Sequence, residues 1–550
     1  MKLTIFAVSL VLGLSSPGFS QHSDHTVIKK AEVKPATIVP GMGSHRHLVS
    51  TGNPLAQKFF DQALSFVYAF NHDEAVRSFK RAAELDPQLA MAQWGIALAL
   101  GPNINLDVDP AREQAAYEAV QKALLLAAGA PENERAYIEA LSRRYSIDPQ
   151  ADLKKLAVEY KNAMGEVVKR YPDDLDAATL YAESAMNLRP WQLWTLDGKP
   201  VEGTEEIIAV LESVLRRDPN HIGAIHYYIH AVEASPTPER ALAYAAKLRE
   251  SVPAAGHLVH MPAHIYGRTG DYQLAARSNK EAAAADEAYF KAHGVGGVYP
   301  LIYYAHNLHF EAYSHAMSGR YADAMSVAGK LETFVRPYIK EMPMAEGFIP
   351  TPTIVRLRFH KWNEILASPK PDPGLPLVNA FWHFARGVAF AATGRKGKAG
   401  REQAAFSAAV RAVPEQATIG LNRARKVLAI AENVLHARIS AATNRDGNAV
   451  IDYLRAAVEM EDSLAYDEPP GWFLPVRESL GATLFRTGDY AGAERVFRAD
   501  LERNKRNGRS LFGLQRVLRA QRKTYAATLV QREFDKAWRY ADTSLRLEDF

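Results

Sequence analysis

A helical hairpin pattern that repeats along the chain constrains its fold more than any other feature. The segment FNHDEAVRSFKRAAELDP, from Phe70 to Pro87, carries a turn, an aromatic, alanines at helical spacing and a closing Asp-Pro. Related stretches are GDYQLAARSNKEAAAAD from Gly270, GRYADAMSVAGKL from Gly319, GRKGKAGREQAAF from Gly394 and GDYAGAERVF from Gly488. Pro219 and Pro253 lie 34 residues apart, the length of one two-helix repeat. Apolar residues recur with a helical period from Pro54 onward, and no run of alternating β-branched residues asks for a sheet. A single hairpin of this kind cannot bury its apolar face alone, so successive hairpins stack into an all-α superhelix, or solenoid, of antiparallel helical hairpins.

Composition supports a large interior: 47% of the 550 residues are apolar and 10% aromatic. The 66 basic and 62 acidic residues nearly cancel, so no basic stripe points to nucleic acid. Cysteine is absent, which removes disulfides, thiolate metal sites and cysteine nucleophiles. At the N-terminus, Lys2 precedes an apolar run from Leu3 to Leu14 and small residues at Gly18 and Ser20. That run is too short to span a bilayer and has the layout of a cleavable secretory signal, with cleavage before Gln21. The expected location is the periplasm or the outside of the cell, without membrane insertion.

The hairpin phrases identify the chain as similar to the tetratricopeptide-repeat superfamily over roughly residues 54–535. More narrowly, FNHDEA, HYYIHAVEASP, HLVHMPAHIY and HNLHF resemble a branch of exported bacterial repeat proteins, a likeness that implies fold and compartment only. The sequence divides into a signal peptide (1–20), a flexible lead-in (21–53) and N-terminal repeats (54–218) with a Trp-containing insertion at 188–203. A histidine-rich block (219–335), a proline-rich connection (336–376) and C-terminal repeats (377–550) follow. Loops that interrupt a solenoid often lie over its binding face, which places Trp191 and Trp194 near a groove or in a gap between hairpins.

Ten of the 18 histidines fall between His221 and His315. The superfamily resemblance implies that positions 2, 5, 9 and 12 of each first helix line the concave groove. With the register set from Ala241, Ala275 and Ala324, these positions are His226, His230 and Glu233, then His257, His260 and His264, then His306, His309 and Tyr313. Residues three or four apart share a helix face, so each hairpin presents imidazoles side by side. Seven histidines without thiolate suit a transition metal, namely copper, zinc or iron, and a dinuclear centre with about three histidines per ion is one arrangement. Glu233 is placed to complete a two-histidine, one-carboxylate set or to act as general base on a metal-bound water. Pro262 is expected to kink the chain between His260 and His264, or to open a shorter helix there.

The expected function is therefore metal binding on the concave face, with hydrolysis or oxidation as the reaction types. The rival is a non-catalytic scaffold that takes a peptide or partner protein in its groove, and a small molecule or peptide is the expected ligand. Tyr227 and Arg268, with Tyr228, Tyr303 and Tyr304, fall near the groove. His22, His25, His45 and His47 read as a flexible polar segment, and His72 as a turn residue. The segment EPPGWFLPVRESLG, with Trp472, Arg477 and Glu478, is a candidate to close the far side of the site. No phosphate-binding glycine loop, nucleophile elbow, dinucleotide fingerprint or His-Glu-x-x-His is present.

Overall fold

The computed structural model describes residues 36–294, 298–443 and 447–550. The signal segment and residues 21–35 of the lead-in lie outside the described residues. The chain runs as antiparallel helical hairpins from Pro54–Tyr68 with His72–Leu85 to Gly508–Ala520 with Thr524–Ala537. Sheet among the described residues is confined to Thr418–Ile419 paired with Asn422–Arg423. The all-α solenoid expected from the repeat is the fold observed.

Local chemistry sets the hairpins. Asn53 caps Pro54–Tyr68 by accepting from the Leu55 and Ala56 amides, with proline in the first turn, where its missing N–H costs nothing. At four hairpins the turn between the two helices is a glycine with positive φ: Gly270, Gly319, Gly394 and Gly488. In the first hairpin the same place belongs to Phe70, at φ 54°. A side chain there is strained by an amount on the order of 1–3 kcal/mol, so something must hold it.

Helix packing also depends on close approaches. A Cβ at Gly95 would lie 2.3 Å from the Phe79 ring, so glycine lets the helix Ala90–Leu100 seat against His72–Leu85. The Pro-rich connection contains its own short hairpin, Thr351–Arg358 and Trp362–Ala367. Pro262 opens Pro262–Thr269 directly after the one-turn helix Gly256–His260, with Met261 between them in helical conformation. The three site histidines of that hairpin thus sit on two short successive helices, His257 and His260 on the first and His264 on the second.

The superhelix curls until distant hairpins touch. Tyr289 of the long helix Tyr272–His293 donates to Glu74 of the first hairpin. From the C-terminal half, Lys505 and Arg506 pair with Glu239 and Asp271. One large apolar core serves the N-terminal hairpins and a second the C-terminal ones. The histidine-rich hairpins lie where these parts meet, joined by a small core that includes Phe310, Tyr313 and Phe473. What periodicity suggests as an open groove is here an enclosed space.

Candidate metal centre

Four short stretches converge. Ile222–Val232 carries His226 and His230, Gly256–His260 carries His257 and His260, Pro262–Thr269 carries His264, and Ala305–Met317 begins with His306 just after a π-helical turn, Pro300–Tyr304. Such a turn re-aims the residues that follow it and is frequent at functional sites. His226, His257, His260 and His264 are at most 2% exposed, so the cluster is interior.

The imidazoles sort into two sets of three. The ligating atoms of His226, His230 and His257 lie within 4.8 Å of one another, as do those of His260, His264 and His306. Within a set, His226 and His257 face each other Nε2 to Nε2 at 3.1 Å. In the second set, His260 Nε2 lies 2.7 Å from His264 Nε2 and 3.2 Å from His306 Nε2. Between sets, the ring centroids of His230 and His264 are 5.5 Å apart, and those of His257 and His260 5.9 Å. The two sets are immediate neighbours.

The far nitrogens show why the rings point this way. His226 Nδ1 donates to the Tyr68 carbonyl at 2.6 Å, and His230 Nδ1 to Glu233 at 2.7 Å. His260 Nδ1 donates to Asn279 Oδ1 at 2.6 Å, an orientation fixed because Asn279 Nδ2 donates to the Ala275 carbonyl. His264 Nδ1 faces the Glu233 and Glu468 carboxylates. Every partner is an acceptor, so in these four residues Nδ1 carries the proton and Nε2 presents a lone pair. Two lone pairs at 2.7 Å repel unless a cation, either a proton or a metal ion, lies between them. This is the outer arrangement that orients histidine ligands toward a metal.

The electrostatics agree. Burial, then neighbouring histidines, push His257, His260 and His306 far below the usual histidine range, and burial and His230 do the same to His226. For His264 burial opposes the charge, but Glu233 and Glu468 outweigh it and hold its pKa at about 10. Glu233 falls to about 2 because His264 and His230 outweigh its burial. The cluster thus contains neutral imidazoles able to act as ligands and one imidazole, His264, that its carboxylate neighbours keep protonated.

The remaining candidates divide. Each oxygen of Glu233 meets an Nδ1, one from each set, and Glu233, His264 and Glu468 form a further group whose ligating atoms lie within 4.8 Å of one another. In this arrangement Glu233 orients His230 and His264. His309 stands apart because the array advances diagonally: one turn beyond His306, its ring stacks on Phe473 at 5.8 Å and meets the edge of Phe348. Tyr313 packs on Phe473 in the same layer, and Tyr227 is wedged among Tyr68, Phe70 and His226 behind the first set. Arg268 Nε donates to the Glu233 carbonyl, and its guanidinium lies over Tyr466. Trp191, at φ 62°, meets His230 edge-on at 5.4 Å. Trp194 Nε1 donates to the Ala231 carbonyl, anchoring the insertion.

Several contributors are not visible from the groove register. Phe70 packs against His226, His230 and His257, and Phe310 against His260, His264 and His306, one phenylalanine to each set. Glu468 is the first residue of EPPGWFLPVRESLG and closes the site from the C-terminal half, with Tyr466 donating to it. Glu478 is elsewhere, between Arg358 and Arg509, and Arg477 pairs with Asp462. Trp472 is core.

A second histidine group has the opposite polarity. Asp176 takes His45 Nε2 at 3.0 Å, His47 Nδ1 at 2.9 Å and the Tyr68 hydroxyl, with His221 Nε2 at 3.2 Å. His221 Nδ1 accepts the Ala224 amide, which leaves its proton on Nε2, aimed at the carboxylate. Donors converge on an anion here, so the group clasps residues 36–53 onto the fold. His45 and His47 are anchored by it and do not form a free segment.

No family model matches the sequence, and no curated protein does. Solved structures that align over most of their length include the human IFIT1 dimer with m7Gppp-AAAA, at 14% identity, 90% of this chain and 92% of that one, with TM-score 0.32. Yeast Tom70 aligns at 11% identity over 90% and 93%, with TM-score 0.30, and the APC/C hetero-tetramer Cut9–Hcn1 at 10% over 91% and 89%, with TM-score 0.28. At these scores the superpositions are loose, and the fold is read from this chain's own hairpins. By those hairpins, the chain is an all-α solenoid of antiparallel helical hairpins.

Proposed function

We propose that the protein binds two transition-metal ions, one in each three-histidine set, as a dinuclear centre sealed inside the solenoid. The observation that carries this reading is the fixing of four Nδ1 protons on outer acceptors, which turns four Nε2 lone pairs toward shared points. Three imidazoles per ion leave a coordination position open for a small molecule, the arrangement of a reactive site.

Burial of the cluster speaks for a small ligand over an extended peptide, which would need the imidazoles on an open groove face. Both Glu233 oxygens are occupied by imidazole Nδ1 atoms, while Glu468, raised to about 7 by burial, is the carboxylate of this cluster that could serve as a base, so redox chemistry, hydrolysis and metal storage all fit the site. Export, suggested by the N-terminal segment, would expose the site to metals outside the cytoplasm. No helix among the described residues is long and apolar enough to cross a membrane.

The test is elemental analysis of untagged protein after equilibration with copper, zinc or iron and removal of excess by gel filtration. Two ions per chain are expected, falling to one in His226→Ala and one in His306→Ala. No stoichiometric metal in the parent, or unchanged content in both variants, would overturn the reading.

A further inference from the structure

We infer that the paired sets hold copper(I) and take up dioxygen between the two ions. The inference rests on the dinuclear reading above and specifies its metal and its substrate.

The first argument is the donor set. The nitrogens that face inward are imidazole, and the nearby carboxylates, Glu233 and Glu468, are turned to the Nδ1 side of His230 and His264. Ions that seek oxygen ligands would find none among these inward atoms, whereas copper accepts an all-imidazole set.

The second argument is charge. A buried cluster tolerates little uncompensated charge. Two monovalent ions are offset by the two carboxylates beside His264. Two divalent ions would leave two positive charges over, which an incoming dianion would cancel.

Dioxygen supplies that dianion. Each copper(I) gives up one electron and becomes copper(II); the two electrons reduce dioxygen to peroxide. The O–O bond is kept as a single bond, and both oxygens bind copper. No proton and no outside reductant are needed, and the reverse step releases dioxygen and restores copper(I). The open position on each three-coordinate ion and the adjacency of the sets provide the geometry.

The third argument is access. A cavity of about 20 Å³ abuts His230 and Glu233, walled by Ile104, Met186, Trp191 and Leu193. A water needs roughly 10–15 Å³ on this measure, so the cavity holds one or two molecules of that size. Its wall is mainly apolar, with Arg189 and Tyr466 also lining it, and its size suits a diatomic molecule and excludes a peptide.

The experiment loads the full chain anaerobically with copper(I), confirms the copper content, and then admits oxygen while uptake and the near-ultraviolet spectrum are recorded. One dioxygen per copper pair is expected, with a new charge-transfer band that disappears on purging with argon and is absent from zinc-loaded protein. Protein that holds two coppers yet takes up no dioxygen and shows no band overturns this inference alone. Protein that fails to retain copper or any other transition metal overturns the dinuclear reading beneath it.

Discussion

Replacing Glu233 with glutamine isolates the outer hydrogen bonds from the rest of the centre. The carboxylate accepts from His230 Nδ1 through one oxygen and from His264 Nδ1 through the other. Glutamine has the same shape but offers one acceptor and one NH₂ donor. One of the two imidazoles must then accept at Nδ1, which moves its proton to Nε2 and withdraws that lone pair from its set. Loss of such an outer partner weakens metal binding about 10–100-fold, or roughly 1.4–2.8 kcal/mol. Competition against a chelator of known affinity, followed by elemental analysis, should show one ion weakened and the other near its parental affinity, with circular dichroism confirming that the hairpins persist. Parental affinity for both ions would refute the tautomer argument. Two tightly held ions together with lost turnover would return Glu233 to the role of a base.

Three further outcomes follow from the same geometry. His309→Ala should retain both ions, since its ring stacks on Phe473 and meets Phe348 edge-on, while His306→Ala should lose one; equal losses by elemental analysis would contradict the division into two sets. Phe70→Gly relieves a left-handed turn at a place where four other hairpins use glycine, so the hairpin should form, yet the first set loses the wall behind His226, His230 and His257 and its ion should dissociate several-fold faster; unchanged dissociation would argue against that role. The clasp at Asp176 should depend on pH. Burial opposes the charges on His45 and His47, but Asp176 outweighs it and raises both above 6.5, so their contribution is complete below pH 6.5 and fades as pH rises through the raised values. Asp176, for which burial is outweighed chiefly by His45, is lowered below 3.8, so its contribution is present above that pH and lost on acidification. Hydrogen exchange of residues 36–53, corrected for intrinsic rates, should therefore show protection greatest between about pH 4 and 6.5 and weakening toward pH 9. Protection that grows on the alkaline side would contradict this account.

The fold was legible because a repeat writes its period into the chain many times, and the spacing of small residues and turns needs no long-range information. Six of the seven expected histidines also converge, since groove positions follow from helix geometry. His309 was misplaced because the register treats every hairpin as equivalent, whereas superhelical twist moves the shared point from positions 5 and 9 in one hairpin to position 2 two hairpins later. The role of Glu233 depends on which imidazole nitrogen faces it, and sequence spacing carries no tautomer. Glu468 reaches the site from more than 200 positions along the chain, by a curl that local patterns do not encode. Phe70 did leave a trace: FNHDEA has phenylalanine where its sister hairpins have glycine, and a residue that accepts strain at a turn has a neighbour worth touching.

The central claim is that two metal ions sit within the histidine cluster, one per set. Anomalous diffraction from crystals of metal-loaded protein, collected on either side of the metal's absorption edge, tests it most directly. The account predicts two peaks, one among His226, His230 and His257 and the other among His260, His264 and His306, with none at Asp176. A single peak at the Asp176 clasp, or no peak within either set, would contradict it.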